Sequence, residues 1–203
     1  MRLPRPVRAL ARSLRDERGS IAVEAVIILP VLVLFYLVSF TLYNAYHKQT
    51  VVTKAGYTLS DLLSRQNAPV TANNIDGMRD VFAYITRDGA DAQIRVTHLT
   101  RYVDTTAGLD EYRIIDSYGT GDVGQMSQAQ LDRDLLRVPN LASNEHVTVI
   151  ETFSPYTPPF FIGLDSYQME SFVVSRQRSG MPIVMRVPPL GTGSGGEEEE
   201  AST

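Results

Sequence analysis

Glu24 is the residue whose chemistry asks for an explanation. Twenty-two uncharged, mostly apolar residues follow it, from Ala25 to Tyr46, before His47 (taken as neutral) and Lys48. About 20 such residues suffice for a helix to cross the hydrocarbon core of a bilayer. A carboxylate inside a membrane segment costs up to about 3 kcal/mol at the centre and less near the interface, so it calls for a partner. If the chain were cut between Gly19 and Ser20, Ser20 would carry a new α-amine one helical turn from Glu24. The helix N-terminus itself favours a carboxylate by about 0.3–1 kcal/mol. The amine could belong to the same chain or to a neighbouring copy, and in the second case the pair would fix the axial register between packed helices.

Other groups with chemical potential are weaker. Gly119-Thr120-Gly121-Asp122-Val123-Gly124 has the literal Gly-x-Gly-x-x-Gly form, but the next helix starts too late, Asp122 puts negative charge where a phosphate would sit, and the preceding strand reads as antiparallel. His47, His98 and His146 fall in different elements without metal spacing, and no Gly-x-Ser-x-Gly or His-Glu-x-x-His occurs. With no cysteine there is no disulfide, thiolate metal site or lipid anchor built on a thioether. No cofactor is expected and no motif supports an enzyme. The loop Pro158-Pro159-Phe160-Phe161 reads either as an exposed contact patch or as a satellite core tucked under a sheet.

These residues need elements to hold them. The first 19 residues carry six Arg against Asp16 and Glu17, a net charge of +4; the rest of the chain carries −8. A basic leader before the span places the N-terminus in the cytoplasm and the following domain outside, and an acidic domain argues against nucleic acid as a partner. A secretory signal peptide fits poorly, because the apolar run is too long and Glu24 interrupts its start.

Residues 20–66 read as one long helix of about 70 Å, transmembrane to about residue 46. Pro30 removes one backbone hydrogen bond and predicts a kink or local loosening. Tyr36, Tyr43 and Tyr46 resemble an interfacial belt. Beyond Lys48, a stripe of Val51, Val52, Ala55, Leu59, Leu62 and Leu63 predicts a face that covers the domain that follows. In residues 67–190 the patterns predict a helix over 74–85 with Ile75, Met78, Val81, Phe82 and Ile85 inward, a hairpin of strands 93–103 and 111–118, and a helix opened by the Ser127–Gln130 capping box. Further strands are predicted over 146–153 and 167–176, with an edge strand in 180–187. Residues 191–203, with Glu197 to Glu200, read as a disordered acidic tail. The fold class is α+β: a long N-terminal helix packed on a small, mostly antiparallel sheet, with extra helices on the same side.

A basic leader, a glycine, a carboxylate five residues later and a long apolar helix together resemble the type IV pilin signature. The string Asp16-Glu17-Arg18-Gly19-Ser20-Ile21-Ala22-Val23-Glu24, then Leu29-Pro30, resembles more narrowly the TadE-like pseudopilins of the Tad (tight adherence, Flp) pilus system. The resemblance is strongest over residues 16–66. It implies a minor pseudopilin in the bacterial inner membrane with a periplasmic head. It also implies that a prepilin peptidase removes residues 1–19, and that the mature chain joins other pilins and pseudopilins through an inner-membrane assembly platform. The alternative is an uncleaved single-pass membrane protein whose outer domain binds a partner or ligand.

Overall fold

The computed structural model describes residues 17–178 and 182–190, with side chains from Val23 onward. The basic leader up to residue 16 and the acidic tail from 191 lie outside the described residues. Helix α1 runs Glu17–Ser64 as one element with Pro30 inside it. The chain divides into two compact units, Met1–Ala45 with Pro158–Leu164, and Tyr46–Thr157 with Asp165–Thr203.

The second unit is α+β. Strand β1 (Val70–Thr71) leads into α2 (Ala72–Thr86), β2 (Gln93–Asp104), β3 (Leu109–Gly119), α3 (Gln128–Asp134), β4 (His146–Tyr156), β5 (Tyr167–Ser175) and β6 (Met185–Arg186). Strands β2 to β5 form one antiparallel sheet in the order β3-β2-β4-β5. The segment expected as a further edge strand does not join it: Met185–Arg186 pairs in parallel with Val70–Thr71 as a separate two-stranded sheet.

The helices start where local chemistry makes them start. Thr71 caps α2 in a reciprocal box with Asn74, and Ser127 caps α3 with Gln130, each pair satisfying two backbone donors that a helix start leaves open. Arg87, left-handed at φ 62°, ends α2. The β2–β3 turn is held by Asp104 Oδ1, which accepts from the amides of Thr106 and Ala107, with Gly108 at φ 68°.

Strand alternation divides the core in two. On one face, Leu99, Val147 and Val149 pack with Met126, Leu131, Val138 and Leu141 from α3 and its flanking segments. The opposite face carries the α1 segment of this unit. Val52, Ala55, Leu59 and Leu63 are buried there. Gly56 lies so close to β5 that an added Cβ would stand 3.1 Å from Ser171 Oγ and 3.5 Å from Val173. α3 therefore covers the face opposite α1, not the same side. The α1 stripe is also rotated from the expected one: Gly56 and Ser60 are inward, and Leu62 is exposed.

In α2, Ile75 and Phe82 are buried, whereas Val81 points outward. Lys48 Nζ donates to the Thr86 carbonyl at 2.8 Å and pairs with Asp88, whose second oxygen accepts from Ser154 Oγ at 2.5 Å. This network ties α1 to the end of α2 and to β4.

Candidate membrane and assembly segment

From Val23 to Ala45 the first unit is mostly apolar, with Glu24 its one charged residue, and few of its side chains are buried. All side chains from Val23 to Tyr36 are exposed, on every side of the helix. A water-facing helix would show a polar face over so many turns, and this one has only Glu24. α1 is the helix among the described residues long and apolar enough to cross a membrane. Pro30 cannot donate to the carbonyl one turn before it, yet the helix continues through that position.

Gly19 and Ser20 lie inside the helix near its start, and Glu24 follows about one turn later with its side chain exposed. The partner expected for Glu24 is created only by cleavage, so it does not exist in the uncut chain. Toward the other end, Thr41 Oγ1 donates to the Leu37 carbonyl at 2.8 Å, which satisfies a hydroxyl in apolar surroundings within its own helix. Tyr43 and Tyr46 are exposed, each combining an apolar ring with a polar tip.

Residues 19–58 match the family model of the TadE-like proteins. Over these residues the chain is similar to the TadE-like proteins. No curated protein and no solved structure matches the chain. The TadE-like match begins at Gly19, takes in Ser20, Glu24 and Pro30, and ends within the part of α1 that packs on the sheet. The sheet itself lies beyond the matched residues.

The aromatic loop is placed with the apolar end of α1. Tyr36 stacks on Phe40 with ring centroids 6.4 Å apart, and Phe40 meets Phe160 edge-on at 6.0 Å. Phe161 is 93% exposed, so the satellite-core alternative does not apply to it. Pro158 and Pro159 precede the two rings in the same turn, and Gly163 at φ 87° closes it.

The other groups of chemical interest resolve into structure. The glycine loop leaves an antiparallel strand, and its first glycine is there for space: a Cβ on Gly119 would lie 2.0 Å from the Val123 carbonyl oxygen. Thr120 fills the loop's hydrogen bonds by accepting from the Ile94 amide at 3.0 Å and donating to Gln93.

Sequence spacing did not reveal that His98 and His146 meet, Nε2 to Nδ1 at 3.0 Å. The β2–β4 register makes them diagonal neighbours on one face, with Asp116 of β3 4.0 Å from His98 Nδ1. Burial first, then the charge that His146 can carry, lowers the His98 pKa from 6.5 to about 4. The pair borders a depression of about 370 Å³ lined also by Glu145 and Arg176. Among the described residues, no three His, Cys, Asp or Glu side chains are grouped to hold a metal.

Proposed function

We propose that this chain is a minor pseudopilin that takes part in assembly, priming or tip formation of a Tad pilus used for surface adhesion. The observation that carries the reading is the two-part character of α1. One part is apolar and exposed all round, and the other buries a single stripe against a folded sheet domain. An all-round apolar helix needs lipid first and then other apolar helices, as a subunit that leaves the membrane for a fibre does.

In this reading a prepilin peptidase cuts between Gly19 and Ser20. The chain is held in the inner membrane by residues 20–46, N-terminus inside and head in the periplasm, until an assembly platform extracts it among other pilins and pseudopilins. Glu24 then neutralises an adjacent N-terminal amine, and Pro30 gives the helix a point of bending. The presence of a folded domain beyond the helix supports a minor subunit, since a fibre-forming helix needs no such head. The head then serves as a contact surface.

The intact mass and N-terminal sequence of the protein from its native membranes test this. A chain beginning at Ser20 is the expected result, and Gly19→Ala should leave the precursor uncut. A chain that keeps its leader in cells with an active prepilin peptidase overturns the reading in favour of a simple membrane anchor.

A further inference from the structure

We propose that the Pro158–Leu164 loop is a membrane-interface anchor that seats Phe161, with Phe160 and Ile162 beside it, in the bilayer leaflet surrounding Phe40. The proposal rests on α1 crossing a membrane, not on cleavage or pilus assembly.

Position is the first argument. Phe160 packs edge-on against Phe40, and Phe40 lies sixteen residues beyond Glu24 in the same helix. Sixteen residues rise about 24 Å, less than the roughly 30 Å of a hydrocarbon core. With Glu24 near one interface, Phe40 and the ring touching it lie inside the opposite edge of the apolar layer.

Chemistry is the second. None of the seven residues Pro158-Pro159-Phe160-Phe161-Ile162-Gly163-Leu164 is charged, and Asp165 follows directly. The two prolines have no amide hydrogen to desolvate, which removes two backbone donors from the tip. An aromatic ring that is 93% exposed in water is poorly placed, while the same ring at a lipid interface is in its preferred medium.

Size is the third argument, and it favours lipid over a second copy of the chain. Stable protein interfaces bury roughly 800 Å² on each partner, more than a seven-residue loop tip provides.

The chain contains no tryptophan, so a single introduced one reports its own surroundings. Full-length Phe161→Trp, Phe35→Trp and Tyr84→Trp variants would be reconstituted separately into phosphatidylcholine–phosphatidylglycerol vesicles containing lipids brominated at defined acyl positions. Phe35 reports the span, and Tyr84, exposed on α2, reports water. The expected result is that Phe161→Trp emits to the blue of Tyr84→Trp and loses intensity most to bromines near the headgroup end. That loss should persist when the protein is diluted in lipid.

Emission from Phe161→Trp as red and unquenched as that from Tyr84→Trp, with Phe35→Trp quenched, overturns the anchor and leaves the span standing. Blue emission that no bromolipid quenches and that fades on dilution means another copy covers the ring, which also overturns it. An unquenched Phe35→Trp overturns the span and the anchor with it.

Discussion

Arg95 donates two hydrogen bonds to Glu151, from Nε to Oε2 at 2.6 Å and from Nη2 to Oε1 at 2.9 Å, with both side chains almost fully buried. The two residues are direct cross-strand partners of β2 and β4, on the face that α3 covers. The Arg95 guanidinium also lies 5.7 Å from the centre of the Phe153 ring. Removing one member of such a pair strands the other charge, at a cost of about 3–5 kcal/mol. Glu151→Leu should therefore lower the thermal midpoint of the full chain in detergent micelles far more than the combined Arg95→Met/Glu151→Leu change. A double variant as unstable as the single one would show that the cost is packing and not an unpaired charge.

The two histidines predict a dependence on pH. At 3.0 Å one ring nitrogen donates and the other accepts, so a proton added to the accepting nitrogen breaks the bond. His98 binds its proton more weakly in the fold than in the unfolded chain, with a pKa of about 4 against 6.5. The unfolded state then holds more protons between those values, and stability falls as pH falls through that window, by up to about 1.4 kcal/mol per pH unit. Burial raises the Asp116 carboxyl, which has the opposite sign and softens the lower end. Urea unfolding of the full chain in micelles at pH 7, 6 and 5 should show a decline that His98→Gln flattens. Equal slopes for both proteins would mean that the pair does not carry the effect.

Much of the sheet domain could be read from pattern because its signals are local. The Ser127–Gln130 box marks a helix start, and the apolar, β-branched character of residues 93–103 and 146–153 marks strands, although both are buried on both faces. What stayed hidden depends on partners distant in sequence. Two-residue strands such as Val70–Thr71 and Met185–Arg186 have no period to detect. The inward face of α1 includes Gly56 and Ser60, which carry no apolar signal, and Gly56 is where the helix comes close to β5. His98 and His146 meet only because of the β2–β4 register. At the other site, Glu24 and Gly19 stand out in sequence because a lone carboxylate in an apolar run is conspicuous without any fold.

The glycine loop separates space from flexibility. Gly119→Ala would place a methyl group 2.0 Å from the Val123 oxygen and 2.7 Å from the Gly124 oxygen, both backbone atoms that cannot step aside. Gly124 has nothing within 4 Å of a Cβ. Gly119→Ala should cost about 1–3 kcal/mol or more through forced movement of the loop, and Gly124→Ala should change little. Comparing the thermal midpoints by circular dichroism checks this, and similar midpoints for both variants would contradict the close approach.

Glu24 is where the sequence and the proposed assembly meet most directly. Its carboxylate is exposed at the start of an otherwise uncharged span, so the head owes it no packing, and Glu24→Ala should leave the sheet domain folded. The substitution also makes the span more apolar, so insertion into the membrane should be at least as complete. What it removes is the group proposed to meet an N-terminal amine, and that loss matters only when helices pack side by side. Glu24→Ala should accordingly give normal protein in the membrane fraction but a tenfold or greater fall in the amount sheared from cells with pili, equivalent to about 1.4 kcal/mol or more per contact. Glu24→Asp keeps the charge on a shorter stem and should recover part of the signal, whereas Glu24→Gln should not. Wild-type amounts of pili with Glu24→Ala would remove the charge pair from the mechanism, and loss from the membrane fraction itself would assign Glu24 to insertion instead of assembly.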